Sequence, residues 1–183
     1  MVHQLKVKLK DIRPAIWRRI QVNGSTTLYK LHDILQVAMG WENCHLYEFE
    51  IAGRRYGPPD DEFAGMAFGE PALDDKKAKL SEVAPVVKCR LLYTYDFGDG
   101  WEHDVTVEKI LPDEKGGQYP VCLAGERACP PEDCGGPWGY ADLLEAIEHP
   151  DDPDSEELLE WAGDFDPEKF NIDQINKRLK KIK

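Results

Sequence analysis

The stretch CRLLYTYDFGDGWEHDVTVE, residues 89–108, admits few folds. Cys89, Leu91, Tyr93 and Tyr95 occupy every second position, and Trp101, His103, Val105 and Val107 do so again after a glycine-rich interruption. A period of two places each set on one face of a strand. Two antiparallel strands keep their apolar sets on a common side only in the matching register. That register opposes Tyr95 to Trp101 and Tyr93 to His103. It leaves Asp96-Phe97-Gly98-Asp99-Gly100 as the turn, where two glycines permit positive φ. Glu102, Asp104, Thr106 and Glu108 then face water. His103 is placed on an apolar face beside Trp101, and a buried imidazole needs a hydrogen-bond partner or a metal ion. His45 opens the apolar face of another strand and raises the same choice.

The remaining patterns extend this pair into an α+β domain. Leu5, Val7 and Leu9 alternate with Lys6, Lys8 and Lys10, predicting a strand over 2–10. Pro14 interrupts it, and Ile16–Val22 predicts its antiparallel partner. Thr26 or Thr27 caps a helix carrying Leu28, Leu31, Leu35 and Ala38, which Gly40 ends. His45–Ile51 predicts another strand, with Arg54–Tyr56 returning as a short hairpin arm. Residues 57–79 look irregular, although Phe63, Met66 and Phe68 point to partial packing. Tyr140, Leu143, Leu144 and Ile147 mark a helix. A second is capped by Asp154 or Ser155 and turns Leu158 and Trp161 inward. A third follows Asp166-Pro167 with the stripe Ile172, Ile175, Leu179 and Ile182. The expectation is a mostly antiparallel sheet of about five strands packed against helices. Residues 1–148 form one domain and 149–183 a helical C-terminal extension packed on it.

Charge and cysteine usage exclude several classes. The net charge of −12 opposes phosphate backbones, which disfavours nucleic acid. Arg13, Arg18 and Arg19 fit a solvated strand face. The sequence offers no membrane span and opens without the apolar core of a secretory signal, so it reads as cytoplasmic. Five cysteines without such a signal read as reduced thiols rather than a disulfide scaffold.

Two loops carry chemistry. In DFGDG, Asp96 and Asp99 sit at the hairpin mouth near His103, either as turn residues accepting backbone N–H groups or as cation ligands. In CPPEDCGGPWGY, residues 129–140, two prolines stiffen the chain and the glycines let other backbone approach. There Cys129 and Cys134 read as small apolar thiols or as ligands, and Glu132 and Asp133 add hard oxygen donors. The cleft expected where these loops meet contains Asp96, Asp99, Trp101, His103, Glu132, Asp133 and Tyr140. A divalent metal such as zinc, if bound, would be held by Asp99, His103, Cys129 and Cys134. Its acidic rim suits a cationic partner, a metal ion or a basic protein segment. Three functions follow: a binding or accessory module, a metal-dependent hydrolytic enzyme with Asp96 among the ligands and Glu132 as general base, or a DNA recombination or regulation accessory factor. The catalytic residues are unknown.

Several segments together, IRPAIWRRIQV, LHDILQVAMGWENCHLYEFEI, YTYDFGDGWEHDVTVE and CPPEDCGGPWGY, resemble the plasmid open-reading-frame-three-like family first named from a root-inducing plasmid. The likeness runs over residues 3–148. Its relatives include TnpR-like passenger proteins of insertion elements. The resemblance implies a cytoplasmic protein of prokaryotes and their mobile elements and supplies no assigned catalytic residues. The recombinase label finds no support in a strongly acidic chain.

Overall fold

The computed structural model describes residues 1–58 and 72–182. Its centre is one eight-stranded sheet. The strands are β1 (Val2–Leu9), β2 (Trp17–Asn23), β3 (Tyr47–Ile51), β4 (Arg54–Gly57), β5 (Leu73–Asp74), β6 (Arg90–Tyr95), β7 (Trp101–Leu111) and β8 (Val121–Glu126). Their order across the sheet is β5-β4-β3-β6-β7-β1-β2-β8. Every pairing is antiparallel except that of β4 with β5.

The β6–β7 hairpin has the register the apolar faces demand, with Tyr95 opposite Trp101 and Tyr93 opposite His103. Trp101, His103, Val105 and Val107 are fully buried, while Asp104 is exposed. β1 repeats the pattern through Leu5, Val7 and Leu9. The opposite face is polar. It carries ion pairs of Lys10 with Glu102 and of Arg19 with Glu108, the ladder expected where one side of a sheet stays wet.

The count of about five strands is corrected to eight, within an α+β architecture. The short return arm is β4. The strands without a sequence signal are β5, with two residues, and β8. β8 reads VCLAGE, has little alternation, and joins β2 through a register shift near Ile20. An edge strand with one neighbour needs no strong propensity of its own. Phe63, Met66 and Phe68 lie outside the described residues.

Helix α1 (Leu28–Met39) is capped by the Thr27 side chain and ends on Gly40 at φ 119°. Helix α2 (Leu80–Val83) is a single turn. Helix α3 (Gly136–Glu148) begins inside the glycine-rich loop. Helices α4 (Glu156–Ala162) and α5 (Ile172–Leu179) follow. Leu28, Leu31 and Leu35 of α1, Tyr140 and Leu143 of α3, and Leu179 of α5 enter the same hydrophobic cluster as the dry sheet face. Asn176 of α5 holds β8 by accepting from Cys122 N–H and donating to Cys122 C=O. Trp161 is largely exposed, not turned inward.

Arg18 also departs from expectation. Its guanidinium is buried, not solvated. All five N–H groups donate to carbonyls, those of Ala38 and Met39 at the end of α1 and those of Trp17, Glu126 and Arg127. This clamp fixes where α1 delivers the chain into the segment Trp41–His45.

Candidate functional site

His103 is an interior anchor. Its Nε2 accepts from Trp41 Nε1 at 3.1 Å, and its Nδ1 faces Tyr93 C=O at 3.2 Å, which assigns the proton to Nδ1. Burial pulls its pKa down to about 4, so the ring is neutral at ordinary pH. Both nitrogens are occupied. The packing of Trp41 against Tyr95, Trp101 and His103 pins the chain just ahead of a second histidine, His45.

His45 lies between α1 and β3 and is half-buried, with 27% of its side chain exposed. Its Nε2 is 3.2 Å from Asp133 Oδ1, 3.6 Å from Asp96 Oδ2 and 3.8 Å from Glu132 Oε2. The nitrogen is shielded from water yet hydrogen-bonds to none of them. Glu132 Oε2 is likewise buried without a partner among the described residues.

The carboxylates are aimed there by ties on their other oxygens. Glu132 Oε1 accepts from the Glu42 backbone N–H at 2.7 Å and from the Tyr95 hydroxyl at 3.0 Å. Tyr95 in turn accepts from Cys44 N–H, and burial raises its pKa, so it remains a donor. Asp96 Oδ1 accepts from Gly98 N–H at 2.9 Å, leaving Oδ2 free toward the ring. Asp96 and Asp133 both occupy the left-handed region, at φ 55° and 56°. Aspartate tolerates this conformation better than most residues. The two loops meet at Gly135, whose N–H donates to Asp99 Oδ2. A Cβ on Gly136 would sit 2.5 Å from Asp99 C=O.

Among the described residues, two groups of His, Cys and carboxylate donors lie within 4.8 Å of one another. They are Cys44–His45–Glu132 and His45–Asp96–Asp133. The residues singled out in the sequence therefore divide. Asp96, Glu132 and Asp133 converge. Asp99 serves the contact between loops. Trp101, His103 and Tyr140 are fully buried, and neither Trp101 Nε1 nor the Tyr140 hydroxyl has a hydrogen-bond partner among the described residues. Asp99, His103, Cys129 and Cys134 belong to neither group. Burial raises the Cys129 thiol well above its ordinary pKa and pushes Cys134 up to about 12, so both stay protonated. All five cysteines are free.

The centre of the cluster, His45, was visible in the sequence only as the residue opening the third strand. Periodicity assigned it to the core. It lies two residues ahead of β3, which begins at Tyr47, and faces the other loops. The signal that finds it is the flanking run Glu42-Asn43-Cys44-His45, a polar connection too short to be a linker.

No helix among the described residues is long and apolar enough to cross a membrane. The family described as plasmid pRiA4b ORF-3-like protein matches residues 1–174. The uncharacterized protein y4hQ of Sinorhizobium fredii is 41% identical over 181 residues, covering 97% of this chain and 90% of that protein. A crystal structure of a protein of unknown function from Methanosarcina mazei Go1 has 43% sequence identity and a TM-score of 0.84, covering 94% of this chain and 95% of the other.

Proposed function

We propose that this chain, which belongs to the plasmid pRiA4b ORF-3-like protein family, is an accessory binding module that takes a cationic group in the recess centred on His45. One observation carries the reading. Asp96 and Glu132 are each tied through one oxygen and present the other to a ring nitrogen that makes no hydrogen bond. Asp96 and Asp133 bring carboxylate oxygens within 4.8 Å of each other beside the same ring, and such a pair repels unless positive charge lies between them.

Calorimetric titration at low ionic strength tests this, with zinc chloride, magnesium chloride and a tetralysine peptide as probes. At least one binds the wild type, and the double variant Asp96→Asn, Asp133→Asn binds it at least about tenfold more weakly, the change for 1.4 kcal/mol. Equal binding by both proteins, or binding of no probe, overturns the proposal. Low salt matters because Asp133 is 73% exposed and screening weakens such charges.

A second reading, metal-assisted hydrolysis, draws on the outward side of the cluster, where Asp133 and Cys44 are exposed and a substrate has access. Zinc-stimulated turnover of 4-nitrophenyl acetate that disappears in His45→Ala supports it. Turnover equal in the two proteins refutes it.

A further inference from the structure

We infer that the cation is a divalent transition-metal ion of the zinc type, seated by His45 Nε2, Asp96 Oδ2 and Asp133 Oδ1. This rests on the cation reading above and narrows it. Donors about 2.1 Å from a tetrahedral ion stand about 3.4 Å apart. The nitrogen-to-oxygen separations here, 3.2 Å and 3.6 Å, bracket that value.

Two further observations single out an ion from a merely acidic surface. The Asp96 side chain is only 10% exposed, and its Oδ2 accepts no hydrogen bond among the described residues while facing the ring. The imidazole nitrogen beside it is buried and equally unpartnered. Glu132 Oε2, 3.8 Å from the same nitrogen, is also buried and without a partner among the described residues. Buried polar atoms are almost always satisfied, so these two orphans facing one point mark a place for a ligand.

The donor set selects its class. Oxygen-only cages suit magnesium and calcium, whereas an imidazole nitrogen favours zinc and its neighbours. The Cys44 thiol, grouped with the same histidine and Glu132, places a soft donor alongside. A lysine ammonium would use the carboxylates but gains nothing specific from the ring. Three protein donors leave further coordination positions on the exposed side. The ties on Asp96 Oδ1 by Gly98 N–H and on Glu132 Oε1 by Tyr95 and Glu42 are the outer-shell contacts that orient such donors.

The experiment uses the full chain after dialysis against chelator. Zinc, magnesium and tetralysine are titrated into wild type, His45→Ala and Asp96→Asn, with thermal unfolding as a check on folding. His45 is not a member of the hydrophobic cluster, so its truncation leaves the core intact. Asparagine at 96 keeps an oxygen for Gly98 N–H. The expected result is one zinc per wild-type chain, bound more tightly than magnesium. Each variant should lose at least about 100-fold in zinc affinity, the upper end of what outer-shell changes alone produce.

Zinc binding equally to wild type and His45→Ala overturns the inference, because the ion then sits elsewhere. Magnesium binding as tightly as zinc overturns it as well. Tetralysine binding without zinc binding sinks the ion and leaves the cation module standing. Failure of all three probes sinks both.

Discussion

Replacing Arg18 by lysine keeps the positive charge and removes the fork. Arg18 is buried, and no carboxylate pairs with it among the described ion pairs. Its five donors reach five carbonyls at 2.7–3.2 Å, which together compensate a charge that burial alone disfavours. Two belong to Ala38 and Met39, the last turn of α1, where a cation also meets the negative end of the helix dipole. Phe170 lies over the guanidinium at 4.8 Å. Gly125 makes room, since a Cβ there would stand 2.8 Å from Arg18 Cδ.

An ammonium has three donors on one atom, so at least two carbonyls lose their partner. At about 1–3 kcal/mol for each buried polar group left unpaired, Arg18→Lys destabilises the chain by about 2–6 kcal/mol. That is a large share of an ordinary stability of about 5–15 kcal/mol. In a chain of this length each kcal/mol lowers Tm by about 2–4 °C, so the fall is at least about 4 °C. Urea unfolding followed by far-ultraviolet circular dichroism, with tryptophan fluorescence as a second probe, reads the loss directly. A variant within about 0.5 kcal/mol of wild type, the range of ordinary surface changes, with an unchanged denaturant slope, refutes the claim that the fork matters beyond its charge.

Two further outcomes follow from other contacts. Gly136→Ala adds a Cβ 2.5 Å from Asp99 C=O at a residue with φ 69°, so the loop bearing Glu132 and Asp133 must withdraw from the hairpin. Cation affinity should fall at least about tenfold, the change for 1.4 kcal/mol, while the far-ultraviolet spectrum keeps its sheet signal; unchanged affinity contradicts the docking argument. Glu108 is held at about 2, first by hydrogen bonding to Arg19, against an ordinary 4.5. The folded value is the lower one, so this stabilisation is complete above about 4.5 and is lost as pH falls toward 2. Glu108→Gln should be less stable than wild type at pH 7, with the difference shrinking across that window in acid-unfolding curves. A difference independent of pH removes the electrostatic explanation.

What the sequence disclosed follows the range of its signals. Alternation at residues 89–107 fixed a hairpin register because one face had to be dry, and Thr27 and Gly40 announced both ends of α1. Those are local rules acting within a strand or a helix turn. β8 gave no such signal, since Val121–Glu126 depends on β2 for its extended form. Alternation with Ile16, Ile20 and Val22 places Arg18 on the dry face of β2, against the solvated reading its charge suggested, whereas Arg19 faces water. What the sequence could not show is how the charge is compensated, because the carbonyls of residues 38, 39, 126 and 127 lie far along the chain. The site shows the limit most clearly. Composition marks both loops that supply its carboxylates, but for the histidine they surround the sequence gives only a place at the start of an apolar strand face and leaves a hydrogen-bond partner and a metal ion both open. His103 attracted the chemical reading because it lies on a perfect alternation, and that regularity is what makes it structural.

Backbone conformation also bears on the His45 cluster, although Asp11, Ala52, Lys88 and Arg127 outside it are left-handed as well. Asn43, Asp96 and Asp133 all have φ between 55° and 58°, where glycine is the easier residue. Asn43 uses its side chain to bond His32 Nε2, and Asp96 uses one oxygen for its own turn. Asp133 has no such local use among the described residues. Its side chain is 73% exposed, and its one close polar approach among them is to His45. The Asp133 carboxylate thus offers its charge to His45 and not to its own turn. Asp133→Gly should relieve about 1 kcal/mol of left-handed strain, offset in part by the added freedom of glycine in the unfolded chain. Urea unfolding is expected to show stability equal to wild type or slightly higher, while zinc affinity falls by at least about tenfold, the equivalent of 1.4 kcal/mol. Destabilisation beyond about 1 kcal/mol, in the range typical of a structural residue, together with intact zinc binding would show that Asp133 supports the fold and not the ion.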